Sequence, residues 1–218
     1  MAQQQIQQDQ QNISNQIAVY QTNKKLIEFL DKLNPAFPTR YAHIHGSGDD
    51  GNGNRVYSLI GMVLLDYSNG TGDHTIRVTA NLAPEEIAYL YEQCRQNVET
   101  IDFRRDKIFG SVEGAPERGI VTKTAFRRMS VGSDGKPRNY PWYVEVQNGS
   151  ALKGRGATGG TYIQPNSYSL DATVGINLTD YDMFTLLHKV TRYIKIWEMA
   201  FGPQLLRRMM QIRTERAA

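Results

Sequence analysis

The stretch VTANLAPEEIAYLYEQC at 78–94 and the stretch VGINLTDYDMFTLLHKV at 174–190 follow one grammar, 96 positions apart. Each runs from a strand-like segment through Asn-Leu into a helix start and an amphipathic helix. Val78 and Val174, Asn81 and Asn177, Leu82 and Leu178, and Leu90 and Leu186 coincide at that offset. Few residues are identical, yet the sequence of elements repeats, with strands before each junction and a helix after it. A chain built this way folds as two supersecondary blocks of one type. The other reading is a chance agreement between two strand-to-helix junctions.

Ahead of the first junction, residues 1–12 are rich in Gln and poor in apolar side chains, which predicts a flexible tail. Ile13, Ile17, Tyr20, Leu26, Ile27, Leu30 and Leu33 then recur at roughly helical spacing, and the prolines of NPAFP (34–38) stop the pattern. An N-terminal amphipathic helix is expected over 13–33. The period changes afterwards: 40–46, 55–68 and 74–82 are rich in β-branched and aromatic residues, and SGDDGNGN and NGTGD between them are turn chemistry. Pro84 and two acids in the first turn then open a helix with Ile87, Leu90, Tyr91 and Cys94 on one face.

The second half repeats this on a larger scale. Strands are expected at 107–112, 119–131, 140–152 and 168–178, separated by Gly-rich and Pro-containing turns. In the helix that follows, Thr179 or Asp180 can cap the start, and Met183, Phe184, Leu187, Val190, Ile194 and Met199 give an apolar face. The chain is thus expected to be α+β: two tandem antiparallel meander-plus-helix units, 13–100 and 101–218, in one compact domain, the second with a basic C-terminal extension.

The single cysteine, Cys94, excludes an internal disulfide framework and suits a reducing compartment, while the Gln-rich start lacks the basic and apolar regions of a signal peptide. These features lead to the expectation of a cytoplasmic protein with no membrane partner. A net charge of only +3 leaves nucleic-acid affinity to depend on where the bases sit. They cluster: residues 101–155 hold 11 Lys and Arg against 6 Asp and Glu, a local balance of +5. Phe103, Phe109, Phe126, Tyr140, Trp142, Tyr143 and, further on, Tyr162 are interleaved with them.

Bases on a sheet neutralise a phosphate backbone, and exposed rings stack on unpaired bases, so the mixture suits single strands held without sequence readout. In this reading Lys123, Arg127, Arg128, Lys136, Arg138, Lys153 and Arg155 contact phosphates, and Phe126, Tyr140, Trp142 and Tyr143 offer stacking surfaces. The competing reading makes Phe126 and Trp142 core and leaves the arginines solvating an outer face. ALKGRGATGG (151–160) lacks the order of a phosphate-binding loop and reads as a hairpin tip carrying Lys153 and Arg155. His43 and His45, followed by Asp49 and Asp50, form a weak metal-like pattern. Glu85, Glu86, Asp180 and Asp182 sit in helix first turns, where the helix dipole accounts for them.

The junction GINLTDYDMFTLLHKV, closing a run of strands, resembles that of the positive-cofactor-four transcriptional coactivator family. Two such units in one chain resemble the plant Whirly proteins and, more distantly, the Pur-alpha proteins and mitochondrial RNA-binding relatives. SALKGRG (150–156) is a loose echo of the Whirly K-G-K-A-A-L pattern in reversed order. The resemblance covers about 40–100 and 105–200. It implies binding of single-stranded nucleic acid across sheets and assembly into dimers or tetramers through helices.

The functional expectation is a non-enzymatic, cofactor-free protein that binds single-stranded DNA, or RNA, and protects or organises it in replication, recombination or conjugation. Two alternatives stand beside it. One is a self-assembling structural protein of a phage or mobile element, and the other is a metal-dependent phosphoesterase using His43 and His45.

Overall fold

The computed structural model describes residues 14–36, 43–49, 55–157 and 159–217. The expected tail, Asp50 and residues 40–42 lie outside them, and the rest of the expected 40–46 strand is no strand, His45 making only an isolated bridge with Pro35. Strands β1 (Gln16–Gln21), β2 (Lys25–Lys32), β3 (Ser47–Asp49), β4 (Arg55–Tyr57), β5 (Leu59–Asp66) and β6 (Ile76–Leu82) precede helix α1 (Pro84–Arg95). Strands β7 (Thr100–Phe109), β8 (Arg118–Met129), β9 (Trp142–Arg155), β10 (Thr161–Ile163) and β11 (Ser169–Leu178) precede helix α2 (Asp180–Ala217).

The molecule is α+β with antiparallel sheets. The first sheet has the order β1-β2-β5-β6, with β3 and β4 forming a small hairpin of their own, and in the second β7-β8-β9 continues to β11, while β10 pairs with the far end of β9. Four strands in sequential order followed by a helix therefore occur twice.

The N-terminal helix expected over 13–33 is instead the hairpin of β1 and β2. Thr22 makes the turn, its Oγ1 accepting from the backbone N–H of Lys25 at 2.9 Å and of Lys24 at 3.3 Å. In β2, Ile27 and Phe29 face the core, while Leu26 and Leu30 on the opposite side are half-buried. Apolar residues on both faces of a strand fall by accident at helical intervals. The other shift is β7, which begins at Thr100 rather than 107 because TIDFRRD is too charged to read as a strand.

The core faces register across each sheet. Phe29, Met62 and Ala80 stand side by side, as do Ile27, Leu64 and Val78, and all six are buried. Phe126, Val144 and Ile176 form the matching row in the second sheet. Both rows belong to one hydrophobic core, closed by Ile87 and Leu90 of α1 and by Met183, Leu187 and Val190 of α2. Burying a side chain of this size contributes about 1.5–3 kcal/mol, so sharing the core joins the two units energetically.

Polar side chains complete the join. Asn148 of β9 donates to the carbonyl of Thr79 and accepts from its N–H, both at 2.8 Å, occupying the outer edge of β6. Thr179 caps α2, its Oγ1 accepting from the N–H of Asp182 at 3.1 Å. At α1, Glu86 reaches back to accept from the N–H of Ala83 at 2.8 Å.

Candidate functional site

Alternation along β8 and β9 splits the sequence-predicted residues between two faces. Asp102, Arg127 and Tyr143 are in register on the outer face of the second sheet, and Arg128 and Trp142 are paired on the inner one. Phe126 and Trp142 are 0 % exposed and Arg128 is 3 % exposed, so none of the three is available to a polymer. This corrects their assignment as contact residues in favour of the competing reading for Phe126 and Trp142. The physical reason is the two-residue period of a strand, which sends neighbours to opposite sides.

Arg128 holds the units together. Its Nε and Nη2 donate to the two carboxylate oxygens of Asp180 at 2.8 and 2.9 Å, Nη2 also donates to Asn97 Oδ1 at 2.6 Å, and Nη1 donates to the Val98 carbonyl. Trp142 Nε1 donates to Asp180 as well, at 2.8 Å. The Arg128 guanidinium holds the Asp180 carboxyl below the usual carboxylate range, against partial burial. The end of α1, strands β8 and β9 and the start of α2 converge on this one ion pair.

The outer face carries Arg127, Lys123 and Tyr143 among acids. Arg104 forms a bidentate pair with Asp102 at 2.7 and 2.8 Å, Arg127 lies 3.6 Å from Asp102 and 4.0 Å from Glu145, and Lys123 lies 3.9 Å from Asp106. Lys123 also sits 4.0 Å above the Tyr168 ring. Tyr143 lies over Gly175, where a Cβ would fall 2.1 Å from its hydroxyl, and its hydroxyl donates to Glu145 at 3.3 Å. Three bases are matched by three acids, so this face presents little net charge to a phosphate chain.

The remaining predicted residues are scattered. Lys136, Arg138 and Tyr140 are exposed on the loop between β8 and β9, Lys153 Nζ donates to Ser111 at 2.8 Å, and Arg155 is exposed at the end of β9. His45 accounts for both ring nitrogens, Nδ1 at 2.8 Å from Ser58 Oγ and Nε2 at 3.1 Å from Glu198, with its ring stacked on Trp197. Among the described residues no His, Cys, Asp and Glu grouping is arranged to hold a metal. Burial pushes the Cys94 thiol up to about 11, which keeps it protonated and a poor nucleophile.

The concave feature that gathers suitable chemistry was not singled out by the sequence. A groove of about 810 Å³ opens where the far end of the second sheet passes β4 to β6. Tyr57, Phe109 and Tyr162 line it and are 46, 50 and 49 % exposed. The geometry follows from strand length: β8 and β9 have 12 and 14 residues, β5 and β6 have 8 and 7. At about 3.3 Å per residue the longer strands run well past the shorter ones, so the end of their inner face is uncovered.

One ring is positioned by a specific neighbour. Tyr162 lies flat on Gly154, where a Cβ would come within 2.4 Å of the ring, so only glycine admits this contact. Lys107 on the groove wall donates to the Asn81 carbonyl at 2.8 Å, and Lys32 donates to the Asn81 side chain at 3.0 Å. Arg105 and Lys107 lie 2.5 and 3.5 Å from buried Glu86, and Arg55 shares a strand face with Tyr57. Burial opposes ionisation of Glu86, but its bonds from Ala83 and Arg105 hold its carboxyl below the usual range. The signal available in the sequence was the continuation of the inner-face parity through Phe103, Lys107 and Phe109.

No helix among the described residues is long and apolar enough to cross a membrane. Comparison with known protein families, curated proteins and solved structures gave no match in any of the three.

Proposed function

We propose that the chain binds single-stranded nucleic acid without sequence readout, using the groove as a stacking site. The observation that carries this reading is the meeting of three half-exposed rings, Tyr57, Phe109 and Tyr162, around one groove with Lys107 on its wall. Unpaired bases stack on such rings whatever their identity, and paired bases cannot reach them. Lys107, Lys32 and Arg55 contribute phosphate contacts, and exposed Arg155, opposite Thr161 at the same end of the sheet, extends the path. The twofold strand-and-helix topology supports a positive-cofactor-four or Whirly-like reading, with a role in protecting or organising single strands in replication, recombination or conjugation. Assembly into dimers or tetramers belongs to the same reading, which involves no catalytic step and no cofactor.

Fluorescence anisotropy with an oligo-dT strand, its RNA counterpart and a duplex over a salt series tests it. Expected are tighter binding of single strands than duplex and an affinity that falls linearly with salt on logarithmic axes. Equal affinity for duplex, or unchanged affinity in a Tyr57→Ala/Phe109→Ala/Tyr162→Ala variant of unchanged melting temperature, overturns it.

A further inference from the structure

Helix α2 is apolar on two faces, and the fold uses one of them. Ile194, Trp197 and Met209 are buried on the inner side. On the outer side Ile196, Met199, Leu206 and Met210 are 60, 76, 47 and 67 % exposed, and exposed Pro203 falls on the same line. Their alternating spacing of three and four residues makes a continuous stripe about 21 Å long at 1.5 Å per residue, with Pro203 at its middle. A contiguous apolar stripe bared to water is the mark of a surface that another molecule covers.

The charges bordering the stripe are of one sign. At 100° per residue, Lys189 and Arg207 fall about 60° to one side of its centre and Lys195 and Arg213 about 60° to the other, with Arg192 on its axis. All five are exposed. Residues 189–215 carry six bases and two acids, a balance of +4, and both acids, Glu198 and Glu215, lie away from the stripe. A second copy docked on this face, parallel or antiparallel, sets base against base. An acidic border pairs with it instead. We infer that this face receives an acidic amphipathic helix of a partner protein, apolar row on apolar row, with its carboxylates along Lys189, Lys195, Arg207 and Arg213. The two methionines suit such a surface because their side chains adapt to the partner's shape.

The test uses the full chain and a fluorescent helix-forming peptide of about three heptads with Leu at the seam and Glu on both borders. Controls are the same peptide with Lys for Glu, polyglutamate, and equimolar phosphatidylserine and phosphatidylcholine vesicles. The Glu peptide is expected to bind at least about tenfold tighter than the Lys peptide or polyglutamate. Met199→Glu/Leu206→Glu and Lys195→Glu/Arg207→Glu are each expected to weaken it by about tenfold or more, with circular dichroism unchanged. Equal binding of the two peptides, no binding, or indifference to both variants overturns the inference. So does a sedimentation dimer that Met199→Glu/Leu206→Glu dissolves, which gives the face to a second copy, or vesicle binding lost in that variant, which gives it to lipid. Oligonucleotide affinity is expected to be unchanged by the Met199→Glu/Leu206→Glu pair, so this inference and the groove reading fail separately.

Discussion

Arg127 and Arg128 are neighbours in sequence and opposites in use. On the inner face of the second sheet Arg128 is buried against Asp180, Asn97 and Val98. On the outer face Arg127 is part-exposed at looser distances from Asp102 and Glu145, its Nε buried without a hydrogen-bond partner. The inner face thus spends its charge on holding two units together, and its rings on the core, until the strands outrun their cover and Phe109 and Tyr162 emerge. The outer face pairs its charges loosely and in partial contact with water, where mutual pairing contributes little. Exposure and the sign of the neighbours decide what a basic residue does; its place in a basic run does not.

The sharpest way to break this contrast is Asp180→Ala, which leaves the Arg128 guanidinium buried without its carboxylate. A loss of about 2 kcal/mol is expected in urea unfolding, since Asp180 is itself half-exposed and water enters where its carboxylate was, and a loss under about 1 kcal/mol would place Arg128 with the surface charges. The pH dependence has a definite sign. Because the folded-state value of Asp180 lies below its unfolded one, its contribution is present above the unfolded value of about 3.9 and is lost as pH falls through the folded value. Asp180→Asn is therefore expected to flatten the acid limb of a stability–pH profile.

The open end of the inner face is probed next. Tyr162→Ala or Phe109→Ala is expected to lower oligo-dT affinity by roughly 5- to 150-fold, the equivalent of about 1–3 kcal/mol per stacked base. Melting temperature should stay nearly constant, since both rings are half-exposed.

A smaller effect is expected where α2 meets the first sheet. The Tyr193 hydroxyl donates to Asp31 at 2.7 Å, and that bond, with burial behind it, pushes its pKa up to about 12. The stability it gives is complete below the unfolded value of about 10 and is lost as pH rises toward 12. Tyr193→Phe should cost about 1 kcal/mol at neutral pH and remove that alkaline loss in thermal melts. Least of all, Asp102→Asn/Glu145→Gln on the outer face should leave the urea midpoint nearly unchanged and shift oligonucleotide affinity by less than about twofold. A large rise in affinity would move the binding surface to that face.

Much of this architecture is legible in the residues. The Asn-Leu junctions at 81–82 and 177–178 mark the ends of β6 and β11, and the strands expected at 55–68, 74–82, 119–131, 140–152 and 168–178 are present with shifted ends. The first hairpin is less legible because Leu26 and Leu30 shadow Ile27 and Phe29 from the far side of β2, imitating a helical face. The candidate groove depends on which strands overhang which, a tertiary length difference that no local pattern encodes. Tyr57 illustrates this: it lies far from the basic cluster in sequence and reaches Phe109 and Tyr162 only through the packing of one unit on the other.

The amide of Asn148 has a consequence for solubility. Both hydrogen-bonding groups that Thr79 turns outward from β6 are engaged by one side chain. A strand from another molecule cannot pair with the rim of β6 at that residue. A single carboxamide thereby interrupts, at mid-strand, the row of groups that ordered aggregation would extend.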